Sequence, residues 1–197
     1  SELIIMLILN LLRHTKNINK RAENKKWKNI IGNELSFKTV GIVGFGNIGR
    51  DLANILKAFH CNILYYDIED DRISTGLKKN VKKVSLNQLL KKSDIVSLNL
   101  PLTSKTYKII NKNNLKFMKK DSILINAARG GLVCEISIEQ FLKKNKIAAA
   151  AFDVFEEEPP KNSKLLKLDN FFATTHIGSI TKEGIRRMGM AAIKGLE

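Results

Sequence analysis

The sequence predicts an α/β fold, a doubly wound parallel sheet with helices on both faces. Short apolar segments alternate with helical segments from residue 38 to residue 175, and this order is typical of βαβ units. The apolar segments show little alternation between polar and apolar positions. Both faces of each strand are therefore expected to be covered, as in a parallel sheet.

Each element of that sheet has its own signal. Apolar runs predict strands at residues 38–43, 62–67, 94–98, 122–126, 147–152 and 171–174. Helices are predicted at residues 48–59 and 86–92. Ser85 with Gln88 and Ser137 with Gln140 have the spacing of capping boxes, so helices are expected to begin at these two serines.

The chain begins with the apolar run SELIIMLILNLL. This run predicts a helix that is buried on nearly all sides and is covered by another lobe or subunit. It is shorter than the roughly 20 apolar residues that a membrane-spanning helix needs, and it lacks the basic start and the cleavage site of a signal peptide. No membrane association is expected, and a polar, lysine-rich connector follows at residues 15–29.

The composition, with 44% hydrophobic and 27% charged residues, fits a soluble globular protein. The net charge of +15 suits a nucleic-acid partner, but the lysines occur as scattered pairs that are typical of solvated helix faces. Because the sequence shows neither a reading helix nor an aromatic base platform, no such partner is expected. Cys61 and Cys134 lack metal-ligand spacing, so no metal site is expected and a reduced cytoplasmic setting is favoured.

The segment GIVGFGNIGR places Gly44, Gly46 and Gly49 in GxGxxG spacing between the first strand and the following helix. The first glycine permits a tight turn, the second lets a pyrophosphate approach the backbone, and the third lets helix and strand pack closely. Asn47 and Ile48 stand at the helix start, where free amides attract phosphates. This segment therefore predicts dinucleotide binding on a Rossmann-type sheet.

The second predicted strand ends at Asp67, which lies 23 residues after Gly44. About 20 residues separate the first glycine from the acid that holds the adenosine ribose hydroxyls in dinucleotide-binding folds. An acid at this place disfavours a 2′-phosphate, so NAD is the expected cofactor, although the nearby Arg72 leaves NADP open. Asp67 also has a simpler interpretation, as a solvated acid at a strand end.

Four further segments follow in order, namely NLPLTSKT, INAARGGLV, AFDVFEEEPP and THIGSIT. In this order and spacing they resemble the signature of the D-isomer-specific 2-hydroxyacid dehydrogenases, a family that includes phosphoglycerate, glycerate, D-lactate and formate dehydrogenases. The resemblance covers nearly the whole chain. It implies an NAD-dependent oxidoreductase acting on a small D-2-hydroxy acid or 2-keto acid, with 3-phosphoglycerate as the first candidate.

The resemblance implies catalytic roles for Arg129, Glu158 and His176. A histidine suits the transfer of a proton to a carbonyl oxygen near neutral pH, and a carboxylate beside it fixes the orientation of the ring. An arginine offers a rigid fork of donors to a substrate carboxylate. Each residue taken alone also has a structural interpretation, with Arg129 bracing a loop and Glu158 beginning a turn.

The same resemblance assigns further contacts and departures. Cofactor contacts are implied for Leu100, Ala127, Ala128, Arg129, Asp153, His176 and Gly178, with Asp153 near the nicotinamide carboxamide. Surface or structural roles are expected for Glu156, Glu157, His14 and His60. Thr175 stands where the family commonly has proline, which bears on the rigidity of the histidine loop, and Cys134 stands where it has Asp or Asn.

The resemblance also implies how the chain is divided. Residues 30–180 are expected to form the NAD-binding domain, residues 1–29 a hinge or interface helix with its connector, and residues 181–197 the start of a helix leading back to a substrate lobe. That lobe is expected to be largely absent from this chain, which would then be part of a longer homodimeric enzyme. The alternative is an NAD(H)-sensing binding module of the corepressor type, because that branch keeps the same three residues.

Overall fold

The computed structural model describes residues 1–69, 81–161 and 163–194. The strands are β1 (Thr39–Val43), β2 (Asn62–Tyr66), β3 (Val81–Lys83), β4 (Ile95–Leu98), β5 (Ile123–Asn126), β6 (Ala149–Phe152) and β7 (Phe171–Ala173). The helices are α1 (Glu2–Leu12), α2 (Thr15–Glu23), α3 (Asn47–Lys57), α4 (Leu86–Lys92), α5 (Lys112–Leu115), α6 (Glu135–Lys143) and α7 (Lys182–Lys194).

The seven strands form one sheet in the order β3-β2-β1-β4-β5-β6-β7. All neighbouring strands are parallel, which confirms the predicted doubly wound sheet. The direction of winding reverses between β1 and β4, so the loops that follow these two strands lead away from each other. A crevice at the carboxyl ends of the strands results, and ligands of open α/β sheets bind at such a reversal.

Apolar side chains cover both faces of the sheet, as the strand sequences predict. Leu7 of α1 and Leu52 of α3 belong to a buried cluster on one face. Leu89 of α4 and Ile138 of α6 belong to a second cluster on the other. The sheet is therefore a rigid layer between two cores, and the loops at its carboxyl edge start from fixed points.

The covering of α1 differs from the expectation. Its Ile4, Leu7, Ile8 and Leu12 are buried and belong to the same core cluster as strand residues of this chain, so the helix needs no second lobe or subunit to cover that side. Met6 keeps 38% of its surface exposed. Its other apolar residues, Leu3, Ile5, Leu9 and Leu11, are partly buried against that core, and Glu2 and Met6 are its exposed residues in this chain.

The predicted connector at residues 15–29 contains the helix α2. None of its residues is buried, so an apolar stripe that would reveal the helix is absent from this described segment. Lys16 attaches the helix to the sheet, because its Nζ donates to the carbonyl oxygens of Leu168 and Phe171, each at 3.0 Å.

One predicted helix start is confirmed and the other is wrong. At Ser85 both hydrogen bonds of the capping box are present. The helix α6 instead begins at Glu135 with Cys134 as its N-cap, and Ser137 lies inside the helix with its hydroxyl 3.1 Å from the Cys134 sulfur. In residues 1–69, 81–161 and 163–194, no helix combines the length and apolarity that crossing a bilayer requires.

Candidate active site

The three glycines of the loop after β1 have three different surroundings. Gly44 has φ +94°, and a Cβ there would lie 2.5 Å from the carbonyl oxygen of Asn99. A Cβ on Gly49 would lie 2.3 Å from the Gly44 oxygen, whereas no described atom lies within 4 Å of a Cβ built on Gly46. The first glycine therefore makes the turn, the third allows close packing, and the second faces open space that a ligand can fill.

The first turn of α3 opens onto the same space. Its N-cap is Gly46, and within the described part of the chain no side chain caps the helix. The Nη2 of Arg50 donates to the side-chain oxygen of Asn47 at 2.7 Å, which keeps a guanidinium beside this turn. Free amides and a nearby cation suit a phosphate.

Asp67 lies directly beside this loop. Its Oδ2 accepts a hydrogen bond from the Phe45 amide at 2.6 Å, and its Oδ1 accepts from the Glu69 amide at 3.0 Å. A carboxylate has about four acceptor sites, so these bonds leave capacity for ribose hydroxyls. The residues present thus fit a dinucleotide, while Asp67 also has a structural role. Arg72 lies outside the described residues.

The loop after β5 carries Arg129 and is shaped by a residue that the sequence did not single out. Asn126 is 1% exposed, its Nδ2 donates to the Arg129 carbonyl at 3.0 Å, and its Oδ1 accepts from the Ala128 amide at 3.3 Å. The Arg129 side chain is exposed, and its Nη1 donates to the Ala128 carbonyl at 2.6 Å. An asparagine at the end of a buried strand was the available signal.

The structure brings Glu158 and His176 together. The Nδ1 of His176 lies 2.7 Å from Oε2 of Glu158, and the other carboxylate oxygen accepts from the Phe155 amide at 3.0 Å. Partial burial raises the pKa of Glu158, but the hydrogen bonds from His176 and Phe155 and the charges of His176 and Arg129 outweigh it and hold that pKa below its usual range. Glu158 is therefore ionised at neutral pH, within the electrostatic reach of Arg129.

A buried carboxylate holds the loop that presents His176. Asp153 is 1% exposed. Its Oδ1 accepts from the Thr174 hydroxyl at 2.5 Å and the Ile177 amide at 2.9 Å, and its Oδ2 accepts from the Gly178 amide at 2.9 Å. These hydrogen bonds fix the main chain on both sides of His176, whose φ is 57°. Asp153 thus restrains the loop where a proline is absent, and its contact with the cofactor stays a prediction.

Glu156 is exposed, as expected of a surface charge, but it also joins other segments of the site. Its side chain accepts a hydrogen bond from the Tyr107 hydroxyl at 2.7 Å, and its amide donates to Glu135 at 2.8 Å. Glu157 also lies at the surface, where it meets Lys161 at 3.3 Å.

Other candidate residues fall into two groups. Leu100 lies in the crevice, because a Cβ on Gly44 would come within 2.8 Å of its side chain. His14 and His60 lie at the opposite, amino-terminal edge of the sheet, where His60 stacks on Phe37 with ring centres 5.8 Å apart. In the described ranges no three His, Cys, Asp or Glu side chains form a group that could hold a metal ion.

Comparisons with known proteins agree with this geometry. Residues 5–178 match the family model described as D-isomer specific 2-hydroxyacid dehydrogenase, NAD binding domain. A glyoxylate reductase of Thermofilum pendens is 41% identical over 203 residues, which cover 100% of this chain and 60% of the relative. A D-3-phosphoglycerate dehydrogenase of Methanocaldococcus jannaschii is 40% identical over 192 residues, which cover 96% of this chain and 36% of the relative.

A solved structure gives the same result. The D-lactate dehydrogenase from Aquifex aeolicus, complexed with NAD and lactic acid, aligns with a TM-score of 0.91 and 31% sequence identity over 99% of this chain and 64% of that one. The chain therefore spans less than two thirds of the length of these three relatives. All three carry the names of oxidoreductases and give the corepressor alternative no support. This chain belongs to the D-isomer specific 2-hydroxyacid dehydrogenase family, whose NAD binding domain it matches.

Proposed function

We propose that this chain forms the NAD(H)-binding part of an oxidoreductase that acts on a small D-2-hydroxy acid or its 2-keto acid. The observation that supports it most is the pair of Glu158 and His176, 2.7 Å apart, on the same sheet edge as the glycine loop. A proton donor and a phosphate cradle at one edge suit a reaction that combines hydride and proton transfer.

In the proposed reaction, bound NADH would supply the hydride to carbon 2 of the keto acid. The Nε2 of His176 donates a proton to the carbonyl oxygen, and in the reverse direction it accepts that proton. Glu158 holds Nδ1, so the ring keeps one orientation and the carboxylate offsets the charge of the protonated ring.

Arg129 is the proposed anchor for the acid group of the substrate. Its guanidinium is exposed and stands on a turn that Asn126 fixes from below. A planar fork of donors matches a carboxylate with two parallel hydrogen bonds, which a lysine does not reproduce. The names of the three relatives point to glyoxylate, pyruvate and the keto acid derived from 3-phosphoglycerate as substrates to compare.

The proposal is tested by titrating NADH, followed by its own fluorescence, in parallel with NADPH at one salt concentration. Tighter binding of NADH is expected, because Asp67 would repel a 2′-phosphate. Turnover with a panel of 2-keto acids, and analysis of the product for the D-isomer, tests the reaction. Binding of neither dinucleotide would contradict the proposal.

Asp67→Asn should weaken NADH binding about ten- to hundredfold, since a hydrogen bond to a charged group contributes roughly 1.5–3 kcal/mol. NADPH binding should weaken less, so the preference for NADH narrows. Asp51→Asn is the matched control, because it removes the same charge from an exposed position on α3. An equal effect of both variants would attribute selectivity to overall charge rather than to Asp67.

We also propose that residues 30–180 form the cofactor-binding unit, and that the protein is a cytoplasmic homodimer. Both Cys61 and Cys134 are free thiols, which suits a reducing compartment. Trp27 and Ile31 are 90% and 93% exposed and offer apolar surface for self-association. Light scattering of the full-length protein is expected to give twice the mass of one polypeptide, and a monomer at high micromolar concentration would contradict the dimer.

A further inference from the structure

Glu156 lies where several loops of the site meet. The turn that carries Arg129 packs against its backbone, because a Cβ on Gly130 would lie 1.8 Å from the Phe155 oxygen and 2.8 Å from the Glu156 amide nitrogen. The same segment leads to Glu158 two residues later. A displacement of Glu156 would therefore reach both the arginine turn and the carboxylate that meets His176.

The Glu156 side chain is tied to the loop that follows β4. The Tyr107 hydroxyl donates to its Oε1 at 2.7 Å, and the Lys108 ammonium lies 3.6 Å from the same oxygen. The amide of Lys108 in turn donates to the Gly131 carbonyl at 2.7 Å. These contacts link the loops after β4, β5 and β6 in one ring.

The backbone of Glu156 is tied to α6. Its amide donates to Oε1 of Glu135 at 2.8 Å. The pKa of Glu135 lies above its usual range, because burial and the charge of Glu156 raise it more than this amide bond lowers it. Glu156 is thus held from two sides, by Tyr107 on its carboxylate and by Glu135 on its amide.

We propose that Glu156 is a positioning residue for the proposed reaction, which fixes the segment from Phe155 to Glu158 so that the Glu158 carboxylate faces His176. This inference rests on the proposed function. The Glu158 carboxylate accepts a hydrogen bond from the Phe155 amide at 3.0 Å, and its other oxygen lies 2.7 Å from Nδ1 of His176. Both contacts require the intervening residues to keep their place.

The titration of Glu158 separates positioning from charge alone. Removing a neighbouring negative charge without moving the loop lowers the pKa of Glu158, because like charges disfavour ionisation. Loosening the loop has the opposite effect, because Glu158 then loses the hydrogen bonds that hold its pKa below the usual range. The direction of the change therefore reveals which effect dominates.

The experiment compares Glu156→Ala with Glu157→Ala, and adds Tyr107→Phe, which leaves the charge of Glu156 in place. Glu157 has the same charge one residue away, but its contact is with Lys161 at the surface. The Glu158 carboxyl is followed by ¹³C NMR as pH is lowered and assigned with Glu158→Gln. We expect the midpoint to rise in Glu156→Ala and Tyr107→Phe, and to stay or fall in Glu157→Ala.

The inference would be overturned if the midpoint of the Glu158 titration fell in Glu156→Ala and did not change in Tyr107→Phe. Turnover gives the second readout, in which Glu156→Ala and Tyr107→Phe should lower kcat about three- to tenfold with little change in NADH affinity. If the wild-type protein binds no dinucleotide and reduces no keto acid, the proposed function fails. If it turns over and both variants keep its kcat and the Glu158 midpoint, only the positioning role fails.

Discussion

Replacing His176 with asparagine is expected to lower turnover of a 2-keto acid about a thousandfold. A positioned general acid contributes roughly a hundred- to ten-thousandfold to the rate, and in this site no other described side chain contacts Glu158 as the imidazole does. Asparagine is chosen because the φ of His176 is 57°, a left-handed conformation that asparagine adopts more readily than alanine. The NADH dissociation constant should change less than about twofold, because the glycine loop is untouched.

His60→Asn is the matched control for this variant. His60 has φ 54°, so the substitution makes the same backbone demand at the opposite edge of the sheet. Steady-state kinetics and NADH titration are measured on both variants. Equal losses of turnover and of NADH affinity in His176→Asn would indicate a structural role for His176.

Gly46→Ala should weaken NADH binding about 30- to 100-fold while leaving thermal stability unchanged. The added methyl group enters a space with no described atom within 4 Å, and the Gly46 φ of −71° is open to any L-residue. The folded protein therefore tolerates the change. A pyrophosphate at that place meets the methyl group at an expected cost of about 2–3 kcal/mol.

Gly49→Ala, unlike Gly46→Ala, is expected to lower the thermal stability of the protein. Its Cβ would lie 2.3 Å from the Gly44 carbonyl oxygen, so the helix and the loop must separate. Overpacking of this kind costs about 1–3 kcal/mol, which corresponds to a fall in Tm of roughly 3–10 °C for a domain of this size. A Tm unchanged in Gly49→Ala, or lowered equally in Gly46→Ala, would contradict the separate roles of the two glycines.

The sheet and its cofactor loop were predictable because their signals are local. Six of the seven strands are short apolar runs, whereas β3 has the sequence VKK and was not predicted. Gly44, Gly46 and Gly49 meet three backbone requirements within six positions. The pairing of Glu158 with His176 followed from the resemblance, and the structure supplies its distance. Such features depend on residue type and spacing, which a sequence displays directly.

The features that were missed depend on contacts between distant segments. Nothing local to Glu156 indicates that Tyr107, 49 positions earlier, donates to it. The helix α2 escaped because it buries none of its side chains. The start of α6 was placed at Ser137 because serine is a favoured N-cap. The N-cap is instead Cys134, whose amide donates a hydrogen bond to the distant Ile110 carbonyl.

The contact between Gly130 and Phe155 has a consequence for protein engineering. The two loops touch through their main chains, with the Phe155 oxygen only 1.8 Å from where a Gly130 side chain would begin. A chimera could take the loop with Arg129 from one relative and the loop with Glu158 from another. Its two loops would then have backbone paths that were never selected together. Residues 126–131 and 153–160 are therefore best exchanged together, as one cassette.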